Sequence, residues 1–173
     1  YGAAQLGAVT RFGDEGVEPP RVTVAPATRE AEFDRPPGHH LAVYGDPPSD
    51  PSVTHWEAEV WSENPAVHPV SVGADDPLFV GGGRTYTHGE ALATAAAVIE
   101  DAAIDPGTTV VLRVPLTDPA VVVAGLVAPI LAGATVVLPA AGAGDPEPGA
   151  DRTHPIEVDG EPRGAPAVDA EPR

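Results

Sequence analysis

Cysteine, methionine and lysine are missing altogether from the 173 residues. Without cysteine there is neither a disulfide framework nor a thiolate metal site. Without lysine, the nine basic residues are all arginine, set against 26 acidic ones, and the formal charge is −17. A surface so short of cations suits neither nucleic acid nor an anionic membrane, since both are bound through clustered Lys and Arg. No apolar run reaches membrane-spanning length, and no basic-then-apolar leader opens the chain. With no methionine anywhere, the sequence does not read as a complete translation product. A processed chain, or a fragment lacking its upstream part, is expected.

What is present belongs to a folded chain. The apolar fraction is 42%, and periodic Val, Ala and Leu segments run through the middle, which argues against an acidic disordered chain. The length fits one ordinary domain. An acidic, lysine-free composition rich in Ala, Val, Asp and Gly is that of salt-loving archaeal cytoplasm, which is the expected location. At ~1 M salt the Debye length is about 3 Å, against ~10 Å at 0.1 M, so carboxylate repulsion is screened only in brine.

The first half reads as short elements. "YGAAQLGAVTRF" gives the last turns of a helix, a break at Gly7 and a strand from Ala8 to Phe12. "DEGVEPP" is a turn. "RVTVAP" reads as a buried strand with Val22 and Val24 facing one way. "ATREAEF" is a short helix and "HHLAVYG" another strand. Ser52 or Thr54 can cap a helix "HWEAEVWSEN", with Trp56 and Val60 on one face, closed by Asn64-Pro65.

The second half is more sharply marked. "LFV" is a strand and "GGGR" a tight loop. Thr87 to Glu90, "THGE", is a capping box opening a helix from His88 to about Ala103. "DPG" turns the chain into a buried strand, "TTVVLRV". Asp118-Pro119 pairs an N-cap with a proline at the first helical position. The crossover helix "AVVVAGLVAPILAGA" follows, interrupted by Pro129 and ended by Gly133, before a strand "TVVL". Strand, helix and strand joined by short turns form a βαβ unit with parallel strands. "AAQLGAVTRF" and "APILAGATVVL" share one pattern, helix, small-residue break and strand, which indicates a weak internal duplication. From Ala140 onward Pro, Gly, Asp and Glu dominate without periodicity, so 140–173 is expected to be a disordered tail behind an α/β domain at 1–139.

The candidate binding element is the glycine loop. Three glycines let backbone amides approach an anion, and a following helix N-terminus adds partial positive charge. Arg84 could hold a phosphate bidentately, and Thr85 and Thr87 could donate hydroxyls to it. The alternative is a plain strand-to-helix turn with glycine at positive φ and Arg84 solvated. The pattern is neither the dinucleotide fingerprint nor a Walker loop. His39-His40 is an adjacent pair, not the i, i+4 pair of a helical metal site, and reads as exposed. His55, Glu57 and Glu59 read as a solvated helix start. Ser62 and Ser71 lack a nucleophile-elbow context. Trp56, Trp61 and Phe79 read as core anchors.

"RTYTHGEALATAAAVIEDAAIDPGTTVVLRVPLTDPAVVVAGLVAPILAGATVVLP" resembles the N-terminal domain of adenylate-forming (AMP-binding) enzymes: acyl-CoA synthetases, luciferases and peptide-synthetase adenylation domains. Thr87-His88, Pro106-Gly107 and Leu131 to Pro139 carry the likeness. "YGAAQLGAVTRF" is similar to an earlier helix–strand of that domain. "VYGDPPSDPSVTHWEAEVWSENPAVHP" is similar to the corresponding part of haloarchaeal acetyl-CoA-synthetase-like proteins. The resemblance implies a partial adenylate-forming α/β fold with a mostly parallel sheet. It implies a nucleotide-binding loop at Gly81, Gly82, Gly83, Arg84, Thr85, Thr87 and His88, with ATP or AMP and Mg2+ as ligands, weakened or lost. The family's loop is shrunken here and its lysine gone. The segments for adenine, magnesium and ribose are not found, and neither is the C-terminal domain with the catalytic lysine. No catalytic residue and no metal ligand can be named. The expectation is therefore a degenerate or truncated synthetase-like domain, not catalytic alone. The alternative is a non-catalytic structural or regulatory domain partnering a complete synthetase or the missing remainder of its own chain. An unrelated Rossmann-like binding domain is a third reading.

Overall fold

The computed structural model describes residues 2–13, 20–62 and 70–138, with the backbone alone at 61 and 62. The tail 140–173, Pro139, most of the turn at 14–19, the helix end expected at 64–65 and the Trp61 side chain lie outside the described residues.

In chain order the elements are α1 (Gly2–Gln5), β1 (Thr10–Arg11), β2 (Val22–Pro26), a 3-10 turn (Ala27–Glu32), β3 (His40–Tyr44), β4 (Thr54–His55), α2 (Trp56–Ser62), β5 (Pro77–Gly81), β6 (Arg84–Thr87), α3 (His88–Asp101), β7 (Thr109–Val111), α4 (Pro119–Val122), a π-helical turn (Val123–Val127), α5 (Ala128–Ala132) and β8 (Thr135–Val137). The chain is thus mixed α/β. It divides into two compact units, one of Tyr1–Gly13 with His68–Arg173, the other of Asp14–Val67.

In the first unit β1 pairs parallel with β5, and β5 pairs antiparallel with β6. Phe79, 2% exposed, anchors the core, as expected. Helix α3 packs there through Ala91 and Ala95, with Val98 and Ile99 further along the same face. Spacings of i, i+4, i+7 and i+8 put all four on one side of the helix.

The expected βαβ unit is present: β7 and β8 form a parallel ladder, Thr109 opposite Thr135 through Val111 opposite Val137. Asp118 caps the crossover helix by accepting the Ala120 N–H at 2.8 Å, with Pro119 at its first position. The β-branched run costs helix propensity, roughly 0.7 kcal/mol or less per residue. Val121, Val122 and Val123 are all buried, and burial of each valine returns about 1.5–3 kcal/mol, so packing wins. Pro129 has no N–H and its ring would strike the carbonyl four residues back. The chain answers with a wider turn, in which the Ala128 N–H donates to the Val123 carbonyl five residues earlier. Gly125 lies in that turn, and a Cβ there would fall 2.1 Å from Leu112 Cδ2. Only glycine lets the crossover approach the end of β7 so closely.

Three helices end alike. The Ala8, Ile104 and Ala134 N–H groups donate to the Ala3, Ile99 and Pro129 carbonyls. The preceding Gly7, Ala103 and Gly133 N–H groups donate to Ala4, Glu100 and Ile130. This is the Schellman closure, whose turning residue takes a left-handed conformation. Gly7 and Gly133 do so at φ 68° and 72°, and so does Ala103 at φ 50°. The pattern shared by "AAQLGAVTRF" and "APILAGATVVL" is therefore a shared local structure: helix, left-handed glycine, strand.

In the second unit β2, β3 and β4 run parallel in that order. Ala25, Leu41, Val43 and Val53 form its core, with Ala27 and Phe33 against it. Val22 and Val24 do share a face, as alternation requires, but that face is open: they are 58% and 55% exposed. The strand is a half-buried edge, not a buried one. Ser52 does not cap α2. Its hydroxyl donates to Asp50 Oδ1 at 2.7 Å and accepts from Arg35 at 2.9 Å, while Arg35 also reaches Asp50 Oδ2 at 2.6 Å. Thr54 belongs to β4. Trp56 is 49% exposed, so it is not the core anchor expected.

Candidate functional site

Gly81 to Thr85 were expected to lead from a strand into a helix. They close a β-hairpin instead. Gly81 pairs with Arg84, leaving Gly82 and Gly83 as a two-residue turn. Both have positive φ, 59° and 74°, the requirement of the turn that matches the twist of a tight hairpin. Gly81 is glycine for a different reason, because a Cβ there would lie 2.7 Å from Pro119 Cγ. Each of the three glycines thus has a packing or conformational cause with no anion involved.

Strand β6 then separates the turn from the helix. Four residues at ~3.3 Å each hold the glycine amides about 13 Å of chain from the start of α3. The expected convergence is therefore corrected for the glycine amides, which β6 holds away from the helix N-terminus, whereas Arg84 does reach its first turn. Arg84 pairs with Glu90 on the first turn of α3, and its guanidinium carbon lies 4.4 Å from the centre of the Tyr86 ring. Tyr86 stacks on Phe79 with centroids 4.7 Å apart. Thr85 stands in β6, two residues short of the cap.

The capping box is present as expected. Glu90 N–H donates to Thr87 Oγ1 at 3.2 Å, and Thr87 N–H donates to Glu90 Oε2 at 2.9 Å. His88 N–H donates to the Asp76 carbonyl at 3.0 Å, and Gly89 N–H to the Ala74 carbonyl at 2.8 Å. A helix start leaves four amide hydrogens without intrahelical partners, and here all four are bonded within the chain. The Thr87 amide, and after it the Arg84 charge, hold the Glu90 carboxyl below the usual glutamate range. The turn at Ala74 and Asp76, which plugs the helix start, was missed from the sequence. Its signal was Gly73 three residues before Asp76, whose Oδ2 accepts the Gly73 N–H at 2.7 Å.

The remaining candidates are dispersed. His39 is half-buried and bonded to Thr23, Nε2 to Oγ1 at 2.9 Å, so it is not the exposed residue expected; His40 is exposed at the start of β3. His55 Nε2 lies 3.3 Å from both Glu57 Oε2 and the Gly45 carbonyl. Glu57 Oε1 accepts the Gly45 N–H at 2.8 Å, which lowers the Glu57 pKa. Glu57 thus ties a loop as well as facing solvent. Ser71 lies in an irregular stretch, and the Ser62 side chain is outside the described residues. Among the described residues no group of three or more His, Asp or Glu could hold a metal ion.

No protein-family model matches the chain, and no curated protein and no solved structure matches it either.

Proposed function

We propose that the chain is a non-catalytic α/β domain related to the N-terminal region of adenylate-forming synthetases, serving a structural or regulatory role beside a complete synthetase or within a longer chain. The likeness rests on Thr87-His88 at a helix start, Pro106-Gly107 ahead of a strand, and Leu131 to Val137 as helix, left-handed glycine and strand. The order hairpin, helix, strand, crossover and strand supports it.

One observation carries the non-catalytic part. Arg84, the sole stand-in for the lost lysine, is paired with Glu90, and the helix start behind it has no unbonded amide. A transferring phosphoryl group needs preorganised cations and donors aimed at its developing charge, and in this arrangement Arg84 and the helix-start amides are already engaged. Pyrophosphate exchange with acetate, propionate or a longer acid, run in molar KCl, tests the reading. The expected rate is that of a heat-killed control. Acid-dependent exchange above it would show a rearranged active site.

A further inference from the structure

We propose that the cleft between Pro20-Arg21 and the Pro36–His39 turn binds a small carboxylate with an apolar body. The cleft has a volume of about 420 Å³ and is lined by Pro20, Arg21, Pro36, Pro37, Gly38 and His39. It lies at the amino end of two neighbouring parallel strands, since Arg21 precedes β2 and His39 precedes β3. The backbone fixes both rims. His39 N–H donates to the Pro36 carbonyl at 3.0 Å, closing the turn, and His40 N–H donates to the Arg21 carbonyl at 2.8 Å, joining one rim to the other. The inference does not depend on the synthetase-like reading.

Charge first singles out the site. Carboxylates outnumber arginines by 26 to nine, and Arg29, Arg35 and Arg84 each pair with one. Arg21 has no hydrogen bond or ion pair from its side chain among the described residues. A guanidinium with no partner among the described residues keeps its two parallel N–H donors for a carboxylate from outside. Beside it His39 is held by Thr23, while His39 Nδ1 is shielded from solvent and has no hydrogen-bond partner. We assign the tautomer in which Nε2 accepts from the Thr23 hydroxyl, which leaves an N–H on Nδ1 as an unused donor.

The walls choose the body of the ligand. Three prolines give rigid apolar surfaces with no N–H to offer, and a Cβ on Gly38 would meet nothing within 4 Å, so the mouth is open. One cationic fork beside three proline rings fits a carboxylate on a ring or short hydrocarbon better than a fully hydrated phosphate.

The test follows the histidine ring signals of the full chain in molar KCl by NMR while sodium benzoate is added, with inorganic phosphate as a parallel arm. The His39 ring signal should move saturably with benzoate and respond more weakly to phosphate. Loss of a charged hydrogen-bonding group should weaken benzoate binding roughly tenfold or more in Arg21→Gln. Arg29→Gln, whose arginine is paired with Glu32, should bind as the parent does. Because Arg21 is exposed, its variant should keep the parent melting curve. No saturable shift, an Arg21→Gln variant that binds benzoate normally, or phosphate bound as tightly as benzoate would each overturn the proposal.

Discussion

The Gly89 amide donates to the Ala74 carbonyl over 2.8 Å, and a Cβ on Gly89 would lie only 3.1 Å from that oxygen. The turn before β5 is thus seated directly on the start of α3. A helix N-terminus attracts anions because its first amides are unbonded. Here Ala74, Asp76, Thr87 and Glu90 have taken them all. The helix start behind the glycine hairpin is thus bonded by its own chain.

The hairpin makes the first prediction. Gly82→Asn should be nearly neutral, because Asn-Gly suits a two-residue turn of this kind. Gly82→Val should cost about 1–2 kcal/mol, since a β-branched residue resists positive φ. Chemical denaturation of both variants checks the order. Equal destabilisation by Asn and Val would show that the turn is not of this type.

Helix ends make the second. Ala103 sits at φ 50° where the two matching closures use glycine. Ala103→Gly should therefore stabilise the protein by about 0.5–1 kcal/mol, against the usual cost of adding glycine. For a chain of this size that raises Tm by roughly 2–4 °C per kcal/mol. A lower Tm in the variant would contradict the assignment.

Acid titration makes the third. The Glu90 pKa is depressed in the fold, by the Thr87 amide first and the Arg84 charge second. A depressed carboxyl stabilises the fold above its unfolded value of about 4.3, and that contribution is lost as pH falls through the folded value. Glu90→Gln keeps a capping-box residue but loses the charge. The Tm gap between parent and variant should be constant above about pH 5 and should shrink below about pH 4. A gap that does not change with pH would show that the carboxylate charge contributes nothing.

Much of the first unit was legible in the sequence because its signals are local. The Thr87–Glu90 box, the Asp118-Pro119 start and the Gly133 stop each fix a helix end within four residues. The parallel pairing of β7 and β8 followed from the short turns that join them to the crossover. The glycine loop was misread because "GGGR" followed by "TYT" is short. A turn leading into a helix and a two-residue hairpin turn place glycine alike, and only the pairing of β6 with β5 separates them. Exposure of Trp56, Val22 and Val24 was not legible either, since alternation says which residues share a face but not whether anything covers it. The Arg21–His39 cleft joins residues 18 apart through a turn and a strand pairing, and no spacing rule announces that.

The charge makes the fourth prediction. At −17 the chain should be fully folded in molar KCl and loosen in dilute buffer. Circular dichroism should show lost structure as salt falls toward ~10 mM, where the Debye length is about 30 Å. A spectrum unchanged over that range would remove the case for a brine-adapted fold.

The most direct test of the central claim is an isothermal titration of the full chain with ATP and magnesium in molar KCl, repeated on Arg84→Ala. With Arg84 held by Glu90 and every amide of the helix start bonded, no saturable heat should appear at millimolar ATP. Arg84→Ala should change only stability, by roughly 0.5–1 kcal/mol, the range of an exposed ion pair with a ring contact. A saturable heat in the parent that Arg84→Ala abolishes would contradict the account and restore the glycine hairpin as a nucleotide site.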